Sequence, residues 1–320
     1  MKALRFSDKL ELITKYPKPI PKQNEALIKV LMAGICNTDI EITKGYREFK
    51  GILGHEFVGI VEEINGDIKN FLGKRVVGEI NCACGNPGCY YCNRNLGRHC
   101  PNRSVLGIFG KDGCMAEYIT LPVNNLLIVP DSISDEEATF CEPLSAGFEI
   151  LEQIHIQPTD NICILGDGKL GLLIDFVLQN TMANITHIGK YKEKLDIVAK
   201  MGIKTLLLDN FCEEYYDIVV EATGTANGFE TSLQLVKPRG KLILKSTIVS
   251  NKENDLTSIV VNEITVVGSR CGQFAPALKA LEKYIDVKPL ISAVYPFGKS
   301  LEAFERAKEK GVLKILLDLR

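Results

Sequence analysis

The 320 residues include 38 basic and 40 acidic side chains, for a formal net charge of −2, with 46% hydrophobic and 24% charged content. That composition excludes a disordered chain, and the balanced charge speaks against a polyanion-binding protein, so no nucleic-acid partner is expected. At roughly 100–200 residues per domain the length accommodates two domains.

Met1-Lys2-Ala3-Leu4-Arg5-Phe6-Ser7-Asp8 puts charges where a signal peptide needs its apolar core. No run approaches the roughly 18 apolar residues of a membrane helix. A cytoplasmic protein with no membrane partner is the expectation. Eleven cysteines are present, five of them between Cys82 and Cys100. In a reducing compartment such clustering points to metal or catalysis rather than disulfides. Most of the other six read as buried thiols.

In chain order, Tyr16-Pro17-Lys18-Pro19-Ile20-Pro21 is too proline-dense for a paired strand or helix and reads as a connector. Strands are predicted at Ala26–Leu31, Phe57–Ile64, Arg75–Ile80 and Ala116–Leu121, a spacing that suggests an all-β, barrel-like domain. From about Cys141 apolar strands alternate with helical patterns. Asn161–Leu165 precedes a helix from about Lys169 to Asn180, and Asn184–Ile188 precedes one from about Tyr191 to Met201. Lys204–Leu208, Asp217–Val220, Lys241–Leu244 and Ile264–Val267 complete six strands, the pattern of a doubly wound parallel sheet. The tail from about Gly272 holds two amphipathic helices and a last strand, Leu313–Leu317, and is expected to return to the first domain. The expected division is therefore 1–145, 146–270 and a returning 271–320.

Gly166-Asp167-Gly168-Lys169-Leu170-Gly171 follows one strand and opens the next helix, the setting in which G-x-G-x-x-G marks a dinucleotide site. Gly166 permits the tight turn, Gly168 lets the backbone approach the pyrophosphate, and Gly171 lets helix pack on strand. The helix N-terminus offers free N–H groups and a positive dipole end to the phosphates. An acid is expected at the end of the second strand to bind the adenosine ribose. Here Ile188-Gly189-Lys190-Tyr191-Lys192 offers none. Gly189 leaves room for a 2′-phosphate that Lys190 and Lys192 would neutralise, which favours NADP(H) over NAD(H).

Cys84, Cys89, Cys92 and Cys100 form a short thiolate cluster suited to a closed, structural zinc site. Cys82 is left out, because alternate strand residues point to opposite faces. A second set is more open. Cys36 follows a strand directly, His55-Glu56 follows Gly54, and Glu142 stands at the boundary between the two halves. Thiolate, imidazole and carboxylate make three protein ligands, with a fourth position free for water or substrate, the mark of catalytic zinc.

These motifs together resemble the zinc-containing medium-chain alcohol dehydrogenases: Cys36-x-Thr38-Asp39, Gly54-His55-Glu56, the four-cysteine lobe, Glu142-Pro143-Leu144, the Gly166–Gly171 loop and Glu221-Ala222-Thr223-Gly224. The Glu-Pro-Leu segment is similar to the polyol and threonine dehydrogenase branch. The resemblance implies an N-terminal all-β GroES-like catalytic domain with a Rossmann domain, together an α/β fold. It implies two zinc ions per chain, one catalytic on Cys36, His55 and Glu142 and one structural in the lobe. Glu56 would be a neighbouring, sometimes coordinating, carboxylate, and Asp39 would orient His55. Thr38 would accept the proton of a zinc-bound hydroxyl while a hydride leaves for the nicotinamide. Thr223 and Arg270 join the expected nucleotide contacts.

Glu41 stands where many relatives carry a relay histidine, so it is the candidate for a changed relay. Four residues, Gly85-Asn86-Pro87-Gly88, separate the lobe's first two cysteines, more than the usual two. The expected activity is hydride transfer between an alcohol or polyol, or its ketone or aldehyde, and NADP(H) or NAD(H). The alternatives are a zinc-free quinone or enoyl reductase and a non-catalytic nucleotide- and zinc-binding protein. A homo-oligomer, dimer or tetramer, is expected, with Ile264–Val267 as a pairing edge.

Overall fold

The computed structural model describes residues 1–210, 214–225, 227–247 and 256–320. Its chain divides into two units: Met1–Glu142 with Phe274–Arg320, and Pro143–Gln273.

In the first unit β1 (Ala3–Phe6) pairs antiparallel with β2 (Leu10–Ile13) and β4 (Gly51–Ile52). The spine of the larger sheet is β3 (Glu25–Ile35), buried along most of its length because it is paired on both sides. One side takes β5 (Glu56–Asn65), extended by β6 (Arg75–Gly78) and β11 (Leu126–Ile128). The other side takes β10 (Tyr118–Pro122) near the start of β3 and β19 (Lys314–Asp318) near its end, with β18 (Ile291–Pro296) beyond. Small strands β7 (Asn81–Cys82), β8 (Ser104–Leu106) and β9 (Gly110–Lys111) form a third sheet, and the cysteine lobe is the loop between β7 and β8. Helices α1 (Asn37–Ile42), α2 (Asp135–Ala138), α8 (Phe274–Lys283) and α9 (Ser300–Arg306) complete the unit.

The strand β18 is an addition to the expected tail. Its residues alternate between half-buried and exposed, with Ser292 and Pro296 interrupting any apolar run, so the contrast that marks a strand is weak. The proline-dense segment near Tyr16 forms no strand.

Helix α3 (Cys141–Gln153) begins with the last two residues of the first unit's long segment and continues into the second unit, which holds six parallel strands: β12 (Asn161–Leu165), β13 (Asn184–Gly189), β14 (Lys204–Leu207), β15 (Tyr216–Glu221), β16 (Val236–Leu244) and β17 (Thr265–Gly268). Their order is β14-β13-β12-β15-β16-β17, so the sheet reverses direction of growth between β12 and β15. That switch point is where an open α/β sheet leaves a crevice beyond its carboxyl ends. Helices α4 (Lys169–Leu178), α5 (Lys192–Ala199), α6 (Gly228–Leu235) and α7 (Thr257–Val261) are the crossovers. Cys163, Leu165, Ile188, Val219 and Leu242 fill the core beneath them. No helix among the described residues is long and apolar enough to cross a membrane.

A buried ionisable pair locks α4 to β13. His187 Nδ1 bonds Asp175 Oδ2, both residues are wholly buried, and His187 Nε2 and Asp175 Oδ1 have no partner among the described residues. Burial raises the Asp175 pKa, against the opposing pull of His187. Removing one member of such a pair strands the other, at a cost of about 3–5 kcal/mol, whereas replacing both by apolar residues costs far less. Asp175→Ala is therefore expected to lose that much stability in urea unfolding, and the double replacement Asp175→Ala with His187→Leu to lose less. A single-variant loss below about 1 kcal/mol would contradict this account.

Candidate functional site

The site begins where β3 ends. Cys36 caps α1, and Asp39, at the third position of that helix, is wholly buried. Asp39 Oδ2 accepts the Cys36 N–H at 2.8 Å, Oδ1 accepts the Gly54 N–H at 3.1 Å, and Oδ1 stands 3.3 Å from His55 Nδ1. One carboxylate thus fixes the β3–α1 turn and the approach to β5 together. Its backbone donors are what make a buried charge tolerable there.

Ligand atoms of Cys36, His55 and Glu56 lie within 4.8 Å of one another, a spacing that fits one metal ion. His55 is 3% exposed, and its Nδ1 makes no regular hydrogen bond. Burial opposes protonation of His55, but the Asp39 charge and contacts with Asp39 and Cys36 outweigh it and hold the pKa well above the ordinary value. The pocket favours positive charge, and thiolate, imidazole and carboxylate are zinc donors.

Glu56 is already engaged. Lys314, 1% exposed on β19, sets its Nζ 2.7 Å from Glu56 Oε1 and also bonds Oε2. The motifs did not point to Lys314, because the two residues are far apart in sequence. The one available signal is a lysine inside the apolar run Leu313–Leu317.

Glu142 stands outside the 4.8 Å group but within electrostatic reach of it. Burial pushes its pKa up to about 7, with His55 and Lys314 opposing and Glu56 and Asp39 adding. Thr38 is half-buried, its Oγ1 3.7 Å from Cys36 Sγ. Glu41 is not brought to the group. It is half exposed and paired with Lys44 at 2.9 Å, a pairing that turns its charge away. Cys114 lies buried below, its Sγ–H donating to the Glu56 carbonyl at 3.4 Å. Cys141 and Cys163 are also buried, Cys271 is half-buried, and Cys212 lies outside the described residues.

In the lobe, all four sulfurs of Cys84, Cys89, Cys92 and Cys100 fall within 4.8 Å of one another. Cys84 and Cys92 are 3.6 Å apart, and Cys89 and Cys100 3.8 Å. A tetrahedron with Zn–S bonds of about 2.3 Å has edges of about 3.8 Å, so the quartet fits zinc. The longer Gly85–Gly88 spacing has not separated the ligands. Cys82, on β7, sits outside the quartet, and burial raises its thiol to about 11.

In the second unit the Gly166–Gly171 loop joins β12 to α4, with Gly168 as N-cap. A Cβ on Gly171 would come within 1.9 Å of the Gly166 carbonyl, so only glycine allows this turn. Beside the loop Glu221, 2% exposed at the end of β15, accepts from Thr223 N–H at 2.8 Å, Thr223 Oγ1 at 2.6 Å and Ser246 Oγ at 3.0 Å. Arg270 is exposed, and its carbonyl receives the Lys245 ammonium at 3.0 Å.

The room for a 2′-phosphate expected at Gly189 is filled. Asp167 places its carboxylate there, accepting the N–H groups of Lys190 and Tyr191, each at 2.7 Å. Lys192 is paired with Asp196 at 2.7 Å, and Lys190 is exposed. The physical ground for favouring NADP(H) therefore fails, because the space is occupied and one of the two cations is engaged.

Residues 22–131 match a family model described as alcohol dehydrogenase GroES-like domain, and residues 137–319 one described as glucose dehydrogenase C-terminus. The chain is 30% identical to D-arabitol-phosphate dehydrogenase of Enterococcus avium, over 94% of this chain and 91% of that protein. It is 24% identical to L-threonine 3-dehydrogenase of Shewanella woodyi, over 94% of each. The solved structure of an alcohol dehydrogenase from Thermus sp. ATN1 matches with a TM-score of 0.90 at 27% identity, covering 100% of both chains.

The Lys314–Glu56 pair gives a test of the site's architecture. Lys314→Met leaves a buried carboxylate unpaired and is expected to lower stability by about 3–5 kcal/mol, while Lys314→Met with Glu56→Gln recovers most of it. Chemical unfolding of both variants checks this, and an unrecovered double variant would mean that packing, not charge, sets the cost.

Proposed function

Because the chain belongs to the zinc-containing alcohol dehydrogenase family of medium-chain dehydrogenases/reductases, and is an alcohol or polyol oxidoreductase on that ground, we propose that two zinc ions and a nicotinamide dinucleotide serve it. The carrying observation is that ligand atoms of Cys36 and His55 lie within 4.8 Å of each other with two buried carboxylates to choose between, Glu56 inside that group and Glu142 electrostatically coupled to it, so that one carboxylate completes a set of three donors rather than four. A three-ligand site keeps a position open for substrate. The four-cysteine lobe would hold the second, structural ion.

Cys36 and His55 are two of the ligands. We assign Glu142 as the third, since Lys314 holds both oxygens of Glu56. Zinc bound there supplies Lewis acidity that brings an alcohol hydroxyl's pKa toward neutrality. Asp39 keeps the Cys36 turn and the His55 ring in place. Thr38 Oγ1 takes the substrate's hydroxyl proton and passes its own to solvent, and Glu41, turned to Lys44, has no part. A nicotinamide dinucleotide held by the glycine loop would supply the hydride acceptor for the oxidation of that alcohol to a carbonyl. The N–H groups at the start of α4 hold the pyrophosphate.

The free thiols throughout the described residues fit a reducing, cytoplasmic setting. β17 is paired on one side only, with Val266 38% exposed, which favours a homo-oligomer through that edge.

Elemental analysis of purified protein is expected to give two zincs per chain, falling to one in Cys36→Ser with about a thousandfold or greater loss of polyol oxidation, several kcal/mol of lost charge stabilisation. One zinc, retained in Cys36→Ser, would sink the reading in favour of a zinc-free reductase or a non-catalytic protein. Glu142→Gln should lose the open-site ion and Glu56→Gln keep it; the reverse would make Glu56 the third ligand. Light scattering should give a multiple of 35.4 kDa, and a monomer would overturn the oligomer.

A further inference from the structure

The loop residue Asp167 does something that the G-x-G-x-x-G pattern does not ask of that position. It is 9% exposed, and its side chain crosses to the end of the neighbouring strand β13. There Oδ2 accepts both the Lys190 and Tyr191 N–H groups. Tyr191 is the N-cap of α5, so the carboxylate sits at the positive end of that helix. Among the described residues Oδ1 accepts no hydrogen bond.

Gly189 is explained by the same contact. A Cβ there would stand 2.6 Å from Asp167 Cβ and 2.8 Å from Oδ2. The strand end carries no acid because an acid from the loop already occupies the space into which that side chain would project. A 2′-phosphate at this place would need the N–H groups of Lys190 and Tyr191 as donors, and would meet a fixed negative charge instead. A 2′-hydroxyl meets an acceptor.

Resting on the dinucleotide reading above, we propose that Asp167 is the adenosine-ribose carboxylate of this chain, delivered from the glycine loop rather than from the strand end, and that it selects NAD(H) over NADP(H). It is a specificity residue with a second task, since the same carboxylate ties the loop to the start of α5. The two tasks use different oxygens, so they are separable. Asp167→Asn keeps an oxygen for the two backbone donors while removing the charge and replacing the free acceptor by a donor.

The test is calorimetric binding of ADP-ribose and of its 2′-phosphate to the full-length protein and to Asp167→Asn, with melting temperatures recorded alongside. The unsubstituted protein is expected to bind ADP-ribose about ten- to a hundredfold more tightly than the 2′-phosphate, the scale of one hydrogen bond to a charged group. Asp167→Asn should weaken ADP-ribose by about tenfold and bring the two ligands to near parity, with the melting temperature little changed. Lys190→Ala should leave the preference as it is. A preference for the 2′-phosphate, or its selective loss in Lys190→Ala, would overturn the proposal. So would equal weakening of both ligands in Asp167→Asn, which is what a merely structural clasp predicts. Absence of binding by either ligand would instead remove the dinucleotide reading itself, whatever the zinc content.

Discussion

The first unit depends on a carboxylate that performs no chemistry. Asp39 is wholly buried and accepts from the backbone of Cys36 and of Gly54 while standing beside the His55 ring. Cys36 and His55 come from different strand–turn junctions, and neither junction has a local reason to face the other. A buried ionised carboxylate needs several donors to be tolerated, and the donors available are these backbone groups. The charge's demand for donors is what sets the spacing between Cys36 and His55. A metal site with loose supporting geometry would lose affinity by one or two orders of magnitude, the usual consequence of disturbing the groups behind the ligands.

Lys314 extends the same logic across the chain. The last strand reaches back to pair with β3 and carries one cation into an otherwise apolar run, where it meets Glu56. The pair neutralises the carboxylate nearest to Cys36 and His55, leaving the next one, Glu142, raised toward neutrality by burial. Two carboxylates beside one thiolate and one imidazole would otherwise repel each other strongly. Pairing Glu56 with a lysine sets the two carboxylates apart, because the ammonium neutralises the one that stands in the group with Cys36 and His55. The closing strand is therefore as much a part of the site as the motifs near the N-terminus.

What the sequence made legible follows from how local each constraint is. The six parallel strands were readable because each is a continuous apolar run between helical patterns, and strand order then follows from the doubly wound rule. The cysteine quartet was readable because four thiolates within a short loop have few other uses. β18 was missed because an edge strand with half-buried alternation carries little apolar contrast. The family resemblance ranked Glu142 above Glu56, but the residues alone gave no physical reason for that order, since Lys314, which engages Glu56, is a contact of sequence separation 258. Glu41 could be placed by motif alone, and only its pairing with Lys44 turns it away from the site.

The ribose end of the nucleotide loop fails for a different reason. The rule that looks for an acid at the end of the second strand treats the side chain's origin as fixed, whereas the ligand senses only where the charge arrives. A glycine at that strand end is open space only if nothing else enters it. Here Asp167 enters from the loop at a distance that a Cβ on Gly189 would forbid, so the glycine and the acid are one feature split between two positions. Reading either position alone gives opposite answers: the bare strand end suggests room for a phosphate, and the filled one supplies the carboxylate that repels it. A second buried acid, Glu221, clasps the same end of the sheet, its Oε1 accepting from Thr223 and Ser246 beside the loop. Asp167 and Glu221 both take their backbone and hydroxyl donors on a single oxygen, and at Asp167 the other oxygen, Oδ1, accepts no hydrogen bond from the described residues beside the strand end. That spare acceptor, not the residue type at a motif position, is the physical basis for discrimination between a hydroxyl and a phosphate.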